Sequence, residues 1–213
     1  METSAATNDN VDTAKRQQVL DGARKCFMSQ GFDGASMNDI VKAAGVSKGT
    51  VYAYFPSKEK LFECLVYEDR RRLAEQLMVI DAPERPVEEV LRELGLRMAR
   101  LMISDESLAY VRMVLPVAGR FPDVGRAFFQ AGPAYSIAKI SAYLQTKMDD
   151  GTLRPADAEC AAMQFVELVQ CGQVKPRLFS SMDLVKPRSV EDVVEAGLQL
   201  FLRGLKSSAE MKH

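Results

Sequence analysis

Along this chain apolar side chains recur every three or four positions and nowhere alternate at every second one, so the pattern predicts helices throughout and an all-α fold. Val19, Leu20, Ala23, Cys26 and Phe27 mark one face of a first helix, from about Thr13 to Gln30, closed by Gly31. Ile40, Val41 and Ala44 mark a second of about two turns, opened by a Ser36/Asp39 capping box and ended by Gly45 in the left-handed conformation. Ser47 caps a third, with Val46, Val51 and Phe55 turned inward and Pro56 as its stop. These helices share one small core, and the tight glycine-containing turn inside SMNDIVKAAGVSKGTVYAYFPSK makes residues 36–58 a helix-turn-helix.

Downstream, Ser57 opens a long helix through Leu61, Phe62, Leu65, Val66, Leu73 and Leu77, ending near the DAPERP break at 81–86. Val87, Val90, Leu91, Leu94, Met98, Leu101 and Met102 form an amphipathic helix. LAYVRMVLPVAGRF follows, then a segment from Phe121 closed at Gly151. Two more helices, about 156–173 and 189–205, complete the pattern, the last opened by a Ser189/Asp192 capping box. The opening METSAATNDN is small and polar and reads as a disordered arm.

A helix-turn-helix makes double-stranded DNA the first partner to consider. Lys48, Gly49, Thr50, Tyr52 and Tyr54 fall on the outward face of its second helix. Tyrosines at helical spacing are also what half-buried packing produces. Gly49 shifts the balance: a helical glycine costs about 1 kcal/mol relative to alanine and is best explained by the close approach of another surface, such as a phosphate backbone. The Thr50 and Tyr54 hydroxyls suit phosphates, as does Lys58 at the positive end of the next helix. Lys48 suits guanine O6 or N7 and Asn38 suits adenine, although each is equally a solvated surface side chain.

Composition narrows the alternatives. The net charge of −1 means that any positive potential is local, from Lys15, Arg16, Lys42, Lys48, Lys58 and Lys60. No apolar run approaches the roughly 18 residues of a membrane span, and no signal-peptide core opens the chain, which predicts a cytoplasmic protein with no membrane partner. The sole histidine is His213, and GxSxG, Walker A and GxGxxG motifs are missing, so the sequence predicts neither enzyme activity, metal site nor cofactor. The four cysteines, Cys26, Cys64, Cys160 and Cys171, read as reduced core residues. The sharper alternative is thiol redox sensing by Cys160 and Cys171, which on one helix stand about 16 Å apart, too far to bridge.

The run from Val19 to Leu65, centred on GFDGASMNDIVKAAGVSKGTVYAYFPSKEKLF, resembles the TetR/AcrR family of one-component bacterial transcriptional regulators. By that resemblance Lys48, Gly49 and Tyr52 meet base edges or the adjoining backbone, Asn38 reaches the major groove, and Thr50, Tyr54 and Lys58 meet phosphates. Ala53 departs from the pattern, standing where some members place a bulky aromatic. The stretch from Tyr110 to Gly172 more loosely resembles the AefR-like C-terminal domain. The division expected is a disordered arm at 1–12, a helix-turn-helix DNA-binding domain at 13–58, a connecting helix at 57–80, a ligand-binding and dimerisation domain at 81–206 and a flexible tail at 207–213.

The resemblance implies a homodimer in which the last two long helices pair with their copies, and Cys160, Gln164, Glu167, Val193, Val194, Gly197, Leu200 and Phe201 are the expected interface. Simple intramolecular packing is the alternative. A small-molecule effector is expected in the larger domain, with Met98, Met102, Met113, Phe128, Phe129, Tyr135, Met163 and Phe165 as pliable or aromatic lining. Arg112, inside the apolar run YVRMVLPV, either pairs with a carboxylate such as Glu106 or Glu167 or waits for an anionic ligand. The function implied is a repressor that binds a palindromic operator and is released by an apolar or amphipathic effector. A helical small-molecule-binding protein without operator specificity, and a thiol redox-sensing regulator, are the alternatives.

Overall fold

The computed structural model describes residues 3–80 and 85–205, with side chains from Asp12 onward. Helices follow one another as α1 (Thr3–Gly34), α2 (Met37–Ala44), α3 (Lys48–Tyr54), α4 (Lys58–Leu77), α5 (Val87–Met102), α6 (Asp105–Ala118), α7 (Pro122–Phe129), α8 (Tyr135–Asp149), α9 (Ala158–Val169), α10 (Val174–Leu178) and α11 (Val190–Leu205). A π-turn at Gln130–Ala134 joins α7 to α8, and a 3-10 turn at Met182–Leu184 lies before α11. Pro133 sits inside the π-turn. Its missing N–H and its ring break the regular ladder there, which divides the segment expected from Phe121 to Gly151 into α7 and α8. The Asp81–Glu84 part of the expected break, and the expected tail at 207–213, lie outside the described residues.

The predicted signals act where expected. Gly31 interrupts α1 with φ 71° and ψ 175°, Ser36 and Asp39 form a reciprocal capping box, and Gly45 ends α2 at φ 66°. The Ser36 hydroxyl and N–H, at 2.5 and 3.1 Å, hold the Asp39 carboxyl below the usual carboxylate range. The expected arm is different: α1 already begins at Thr3. No glycine or proline occurs between Thr3 and Asp21, so nothing in that stretch stops the helix from propagating backward.

The chain divides into two compact units, residues 1–70 with 110–130, and residues 71–109 with 131–213. In the first, Val19, Leu20 and Phe27 of α1, Ile40 of α2, Val51 of α3 and Leu61, Phe62, Leu65 and Val66 of α4 make one core with Phe55. Phe27 meets Phe62 edge-on at 4.8 Å. Tyr110, Val114 and Val117 of α6 and Val124 of α7 belong to this same core. The head is therefore larger than the expected 13–58, because α1 and the short α2 and α3 leave an apolar face of α4 that needs covering.

In the second unit, Leu91, Leu94 and Met98 of α5, Ile140 and Leu144 of α8, Phe165 and Val169 of α9 and Val194, Leu198 and Phe201 of α11 form the core. A Cβ on Gly197 would stand 2.7 Å from the Leu168 carbonyl oxygen, so its absence sets the close crossing of α9 and α11. Arg92 bridges Glu88 at 2.7 Å and Glu195 at 2.8 Å, tying α5 to α11. The helix expected over 156–173 is shorter: α9 ends at Val169, and Gly172 turns the chain at φ 72°. The short α10 and the 3-10 turn after it were not legible in the pattern, being shorter than the window over which helical periodicity shows.

Candidate nucleic-acid interface

The interface is built from α1 outward. Gly22 of α1 lies so close to α2 that a Cβ on it would stand 2.6 Å from the Ala44 nitrogen. Gln18 Nε2 donates to the Ala44 carbonyl at 2.7 Å, satisfying a C-terminal acceptor of α2. These two features fix α2, and the left-handed Gly45 then sets the turn into α3. Ser47 accepts from the Thr50 N–H at 3.1 Å, and its hydroxyl meets the Thr50 hydroxyl at 2.7 Å.

Val51 and Phe55 anchor α3 in the core at 0% and 1% exposure. The same helix leaves Lys48, Gly49 and Tyr52 exposed and Thr50 and Tyr54 half-buried. Asn38 is exposed on α2. The Lys48 ammonium lies 5.8 Å from the centre of the Tyr52 ring, a cation–π pair that holds both on the outer face. Around Gly49, a Cβ would meet only Ser47 Oγ, at 3.8 Å. The fold itself therefore gives no packing reason for glycine at this helical position.

Two expected phosphate ligands have partners within the head. Lys58 Nζ donates to the carbonyls of Phe32 and Ala35 at 2.8 and 3.0 Å and sits over the Phe32 ring at 4.4 Å. It ties the N-terminus of α4 to the chain leaving α1, where helix-end carbonyls need donors. Replacing Lys58 with methionine is expected to lower head stability by about 1.5–3 kcal/mol, the range for a charged hydrogen bond, and thermal melting of the purified variant checks it. The Tyr54 hydroxyl donates to the Asp12 carboxylate. That bond raises the tyrosine pKa above its ordinary value.

The positive potential is also narrower than the basic residues suggested. Arg16 pairs with Glu68 at 2.5 Å and Lys60 with Glu63 at 2.7 Å, whereas Lys15, Lys42 and Lys48 are exposed.

Behind the interface lies an ionic cluster that the sequence did not reveal. Arg24 of α1 reaches Asp69 of α4 through Nη2 at 2.6 Å and Nε at 3.0 Å, and Asp21 at 2.6 Å. The Tyr110 hydroxyl of α6 donates to Asp69 Oδ2, the oxygen that also accepts from Arg24 Nε, at 3.3 Å. The Arg70 guanidinium lies 3.9 Å from the Tyr110 ring centre and 5.4 Å from that of Phe128. Hydrogen bonding to Asp69 raises the Arg24 pKa, and burial raises that of Tyr110. Both groups therefore keep their protons at any physiological pH.

The expected effector lining is divided between the two units. Arg112, Met113, Phe128 and Phe129 belong to the first unit, and Met98, Met102, Tyr135, Met163 and Phe165 to the second. Met98 and Phe165 are core residues, and Tyr135 is half-buried with the Arg71 guanidinium 3.8 Å from its ring centre. Phe129 and Met163 are 57% and 44% exposed. Arg112 is exposed as well, because the buried stripe of α6 runs through Tyr110, Val114 and Val117 and leaves position 112 on the opposite side. Its charge needs no rescue from an apolar interior.

The expected dimer residues divide similarly. Cys160, Gln164, Glu167 and Leu200 are exposed along α9 and α11. Val193, Val194, Gly197 and Phe201 are buried within the second unit, where α11 packs on α5 and α9, and are not surface in the single chain. The cysteines also depart from a core reading. Cys26 is buried and Cys64 half-buried, whereas Cys160 and Cys171 are exposed. Burial pushes the Cys26 and Cys64 thiols upward, which keeps them protonated and poorly reactive at neutral pH. Among the described residues no cluster of His, Cys, Asp and Glu is arranged to hold a metal ion, and no helix is long and apolar enough to cross a membrane.

An anchored α3 presenting an exposed, hydroxyl-rich and basic face defines a helix-turn-helix protein. Residues 19–65 match the family described as bacterial regulatory proteins, tetR family, and residues 89–204 match the AefR-like transcriptional repressor, C-terminal domain. The chain belongs to the TetR family of bacterial regulatory proteins, in the branch with an AefR-like C-terminal domain.

The HTH-type transcriptional repressor AcnR of Corynebacterium efficiens is 43% identical over 72 residues, which are 34% of this chain and 38% of that protein. The HTH-type transcriptional regulator UidR of Escherichia coli is 39% identical over 67 residues, 30% of this chain and 34% of that protein. The chain thus matches little more than a third of the length of these curated relatives. Similarity to solved structures extends much further. The Flavonoid-responsive Regulator FrrA is 32% identical with a TM-score of 0.80, covering 92% of this chain and 99% of that one. A TetR-family transcriptional regulator from Mesorhizobium loti is 25% identical with a TM-score of 0.81, covering 92% and 98%.

Proposed function

We propose that the protein is a cytoplasmic one-component transcriptional repressor that binds a palindromic operator as a homodimer and is released by a small apolar or amphipathic effector. Gly49 carries the reading: a glycine inside a short helix, facing outward, where a would-be Cβ would meet only Ser47 Oγ, at an unstrained 3.8 Å. Such a residue makes room for a surface that arrives from outside. Its neighbours Lys48 and Tyr52 contact base edges, with Asn38 reaching from α2, while Thr50 donates to phosphate. Tyr54 joins them once DNA displaces its Asp12 partner. The repressor AcnR supports the direction of control, and the flavonoid-responsive FrrA supports an effector of flat, amphipathic chemistry.

Two-fold related heads read two half-sites about one helical turn apart. Effector binding shifts the population toward a spacing that no longer fits, for which a coupling of about 1–3 kcal/mol suffices. The dimer faces are the exposed sides of α9 and α11, including Cys160, Gln164, Glu167 and Leu200.

The test is Gly49→Ala. Alanine fits the free fold and improves helix propensity by up to about 1 kcal/mol, so the melting temperature should hold or rise. Affinity for a duplex selected from a random library should nevertheless fall about tenfold or more, the equivalent of about 1.4 kcal/mol. Unchanged affinity would remove α3 from the DNA interface.

A further inference from the structure

The first unit carries a groove lined by none of the residues assigned above to DNA, effector or dimer. It takes up about 530 Å³ between α1, α4 and α7, a volume within the range of small-molecule sites, and its described lining lies wholly in that unit. The sequence makes the space. Glu63, Cys64, Tyr67 and Glu68 fall on one face of α4, and Asp123, Arg126 and Ala127 on one face of α7, each set at helical spacing. Cys64 and Ala127 are short, so they floor the gap that longer apolar side chains would close. Ala127 is buried and Cys64 half-buried, and burial keeps the thiol protonated, so the floor is uncharged. Tyr67, 43% exposed, stands one turn along from Cys64 as an aromatic wall.

The rim is charged, with an acidic excess. Among the described lining residues three carboxylates, Glu63, Glu68 and Asp123, stand against the two guanidiniums of Arg16 and Arg126. Lys60 reaches Glu63 at 2.7 Å, Arg16 reaches Glu68 at 2.5 Å and Arg126 reaches Asp123 at 2.7 Å. Each of these contacts engages one carboxylate oxygen, so the other can accept from a ligand. Partly exposed pairs of this kind are weak and give way to a better partner. Glu63 and Glu68 are the more enclosed, with side chains 25% and 28% exposed against 71% for Asp123, and they flank Tyr67 on the same face of α4. An uncharged floor, an aromatic ring and two half-enclosed carboxylates beside it complement a cation carried on a flat apolar body.

We propose that the α1–α4–α7 groove binds an arylalkylamine, its ammonium held by Glu63 and Glu68 and its apolar body lying over Cys64 and Ala127 against Tyr67. This is a second small-molecule site, within the DNA-binding unit, and it stands independently of the effector and operator proposed above.

The probe is 1-naphthylmethylamine, protonated at neutral pH, titrated calorimetrically into the full chain with neutral 1-naphthylmethanol and anionic 1-naphthylacetate as controls. The amine should bind about tenfold or more tighter than either control, the worth of a charged hydrogen bond. Combining Glu63→Gln with Glu68→Gln should remove that advantage and leave the melting curve unchanged, since both ion pairs are partly exposed and glutamine keeps the shape. Tyr67→Leu should weaken the amine by roughly threefold or more through the lost cation–π contact. Bound amine should also slow alkylation of Cys64, followed by peptide mass spectrometry; if the double variant melts lower, this protection and Tyr67→Leu decide. An amine bound no more tightly than the alcohol or the carboxylate, or bound without protecting Cys64, overturns the site, as does undiminished binding to Tyr67→Leu.

Discussion

Gly22→Ala is expected to cost the head about 2 kcal/mol or more and to abolish tight operator binding, although it adds only one methyl group. That carbon would stand 2.6 Å from the Ala44 nitrogen and 2.7 Å from its Cα. Both are backbone atoms and cannot swing aside as a side-chain tip would. The propensity gain of about 1 kcal/mol from replacing a helical glycine is outweighed, because the only relief is to part α1 from α2. Parting them stretches the 2.7 Å bond from Gln18 to the Ala44 carbonyl and turns α3, which follows Ala44 after a short turn, away from its proper angle. Circular-dichroism melting with a shift assay at physiological salt measures both effects. The contrast with Gly49→Ala is informative: one should lose stability and binding together, the other binding alone. A Gly22→Ala protein with the wild-type melt would show that α1 and α2 are not locked as described.

Asp69→Ala should be at least as severe. Asp69 is 12% exposed and Arg24 30% exposed in their side chains, so removing the carboxylate leaves a largely enclosed guanidinium without its principal partner and the Tyr110 hydroxyl without its acceptor. Breaking one side of such a pair costs about 3 kcal/mol. Tyr110 offers no compensation, because its raised pKa keeps it protonated and therefore unable to act as a counter-charge. The double variant Arg24→Leu with Asp69→Leu should recover much of the loss, since two apolar residues need no partner. A double-mutant cycle in urea measures the coupling, and independent, additive losses would show that the two groups do not act as a pair. As these residues join α1, α4 and α6, the cluster holds the DNA-binding head to the helices that complete its core.

The head was legible because its signals are local. Ser36, Asp39, Gly45 and Ser47 each act within one turn of themselves, and the stripe through Val19, Leu20, Ala23 and Phe27 records a buried face directly. Partners are a different kind of information. The stripe on α6 says that Tyr110, Val114 and Val117 are buried, but not that α4 of the head buries them. Reading YVRMVLPV as an apolar run hid its period and placed Arg112 in the interior, whereas counting every third or fourth residue from Tyr110 would have set it outside. Val193, Val194 and Phe201 illustrate the same gap: an apolar helix face fits equally a core within the chain and an interface between copies. Lys58 follows a capping serine and looked free to meet phosphate, since nothing in the sequence shows that the carbonyls of Phe32 and Ala35 converge on it.

Because Tyr110, Val114, Val117 and Val124 share the core of the helix-turn-helix, that head cannot be finished when its own helices leave the ribosome. Its last wall is encoded more than forty residues downstream of α4's buried Val66, beyond the whole of α5. At a synthesis rate of about 5–20 residues per second, the nascent head waits several seconds with an apolar face uncovered. The unit that reads DNA is thus a late product of translation, and a chain truncated before residue 130 should be a client for chaperones.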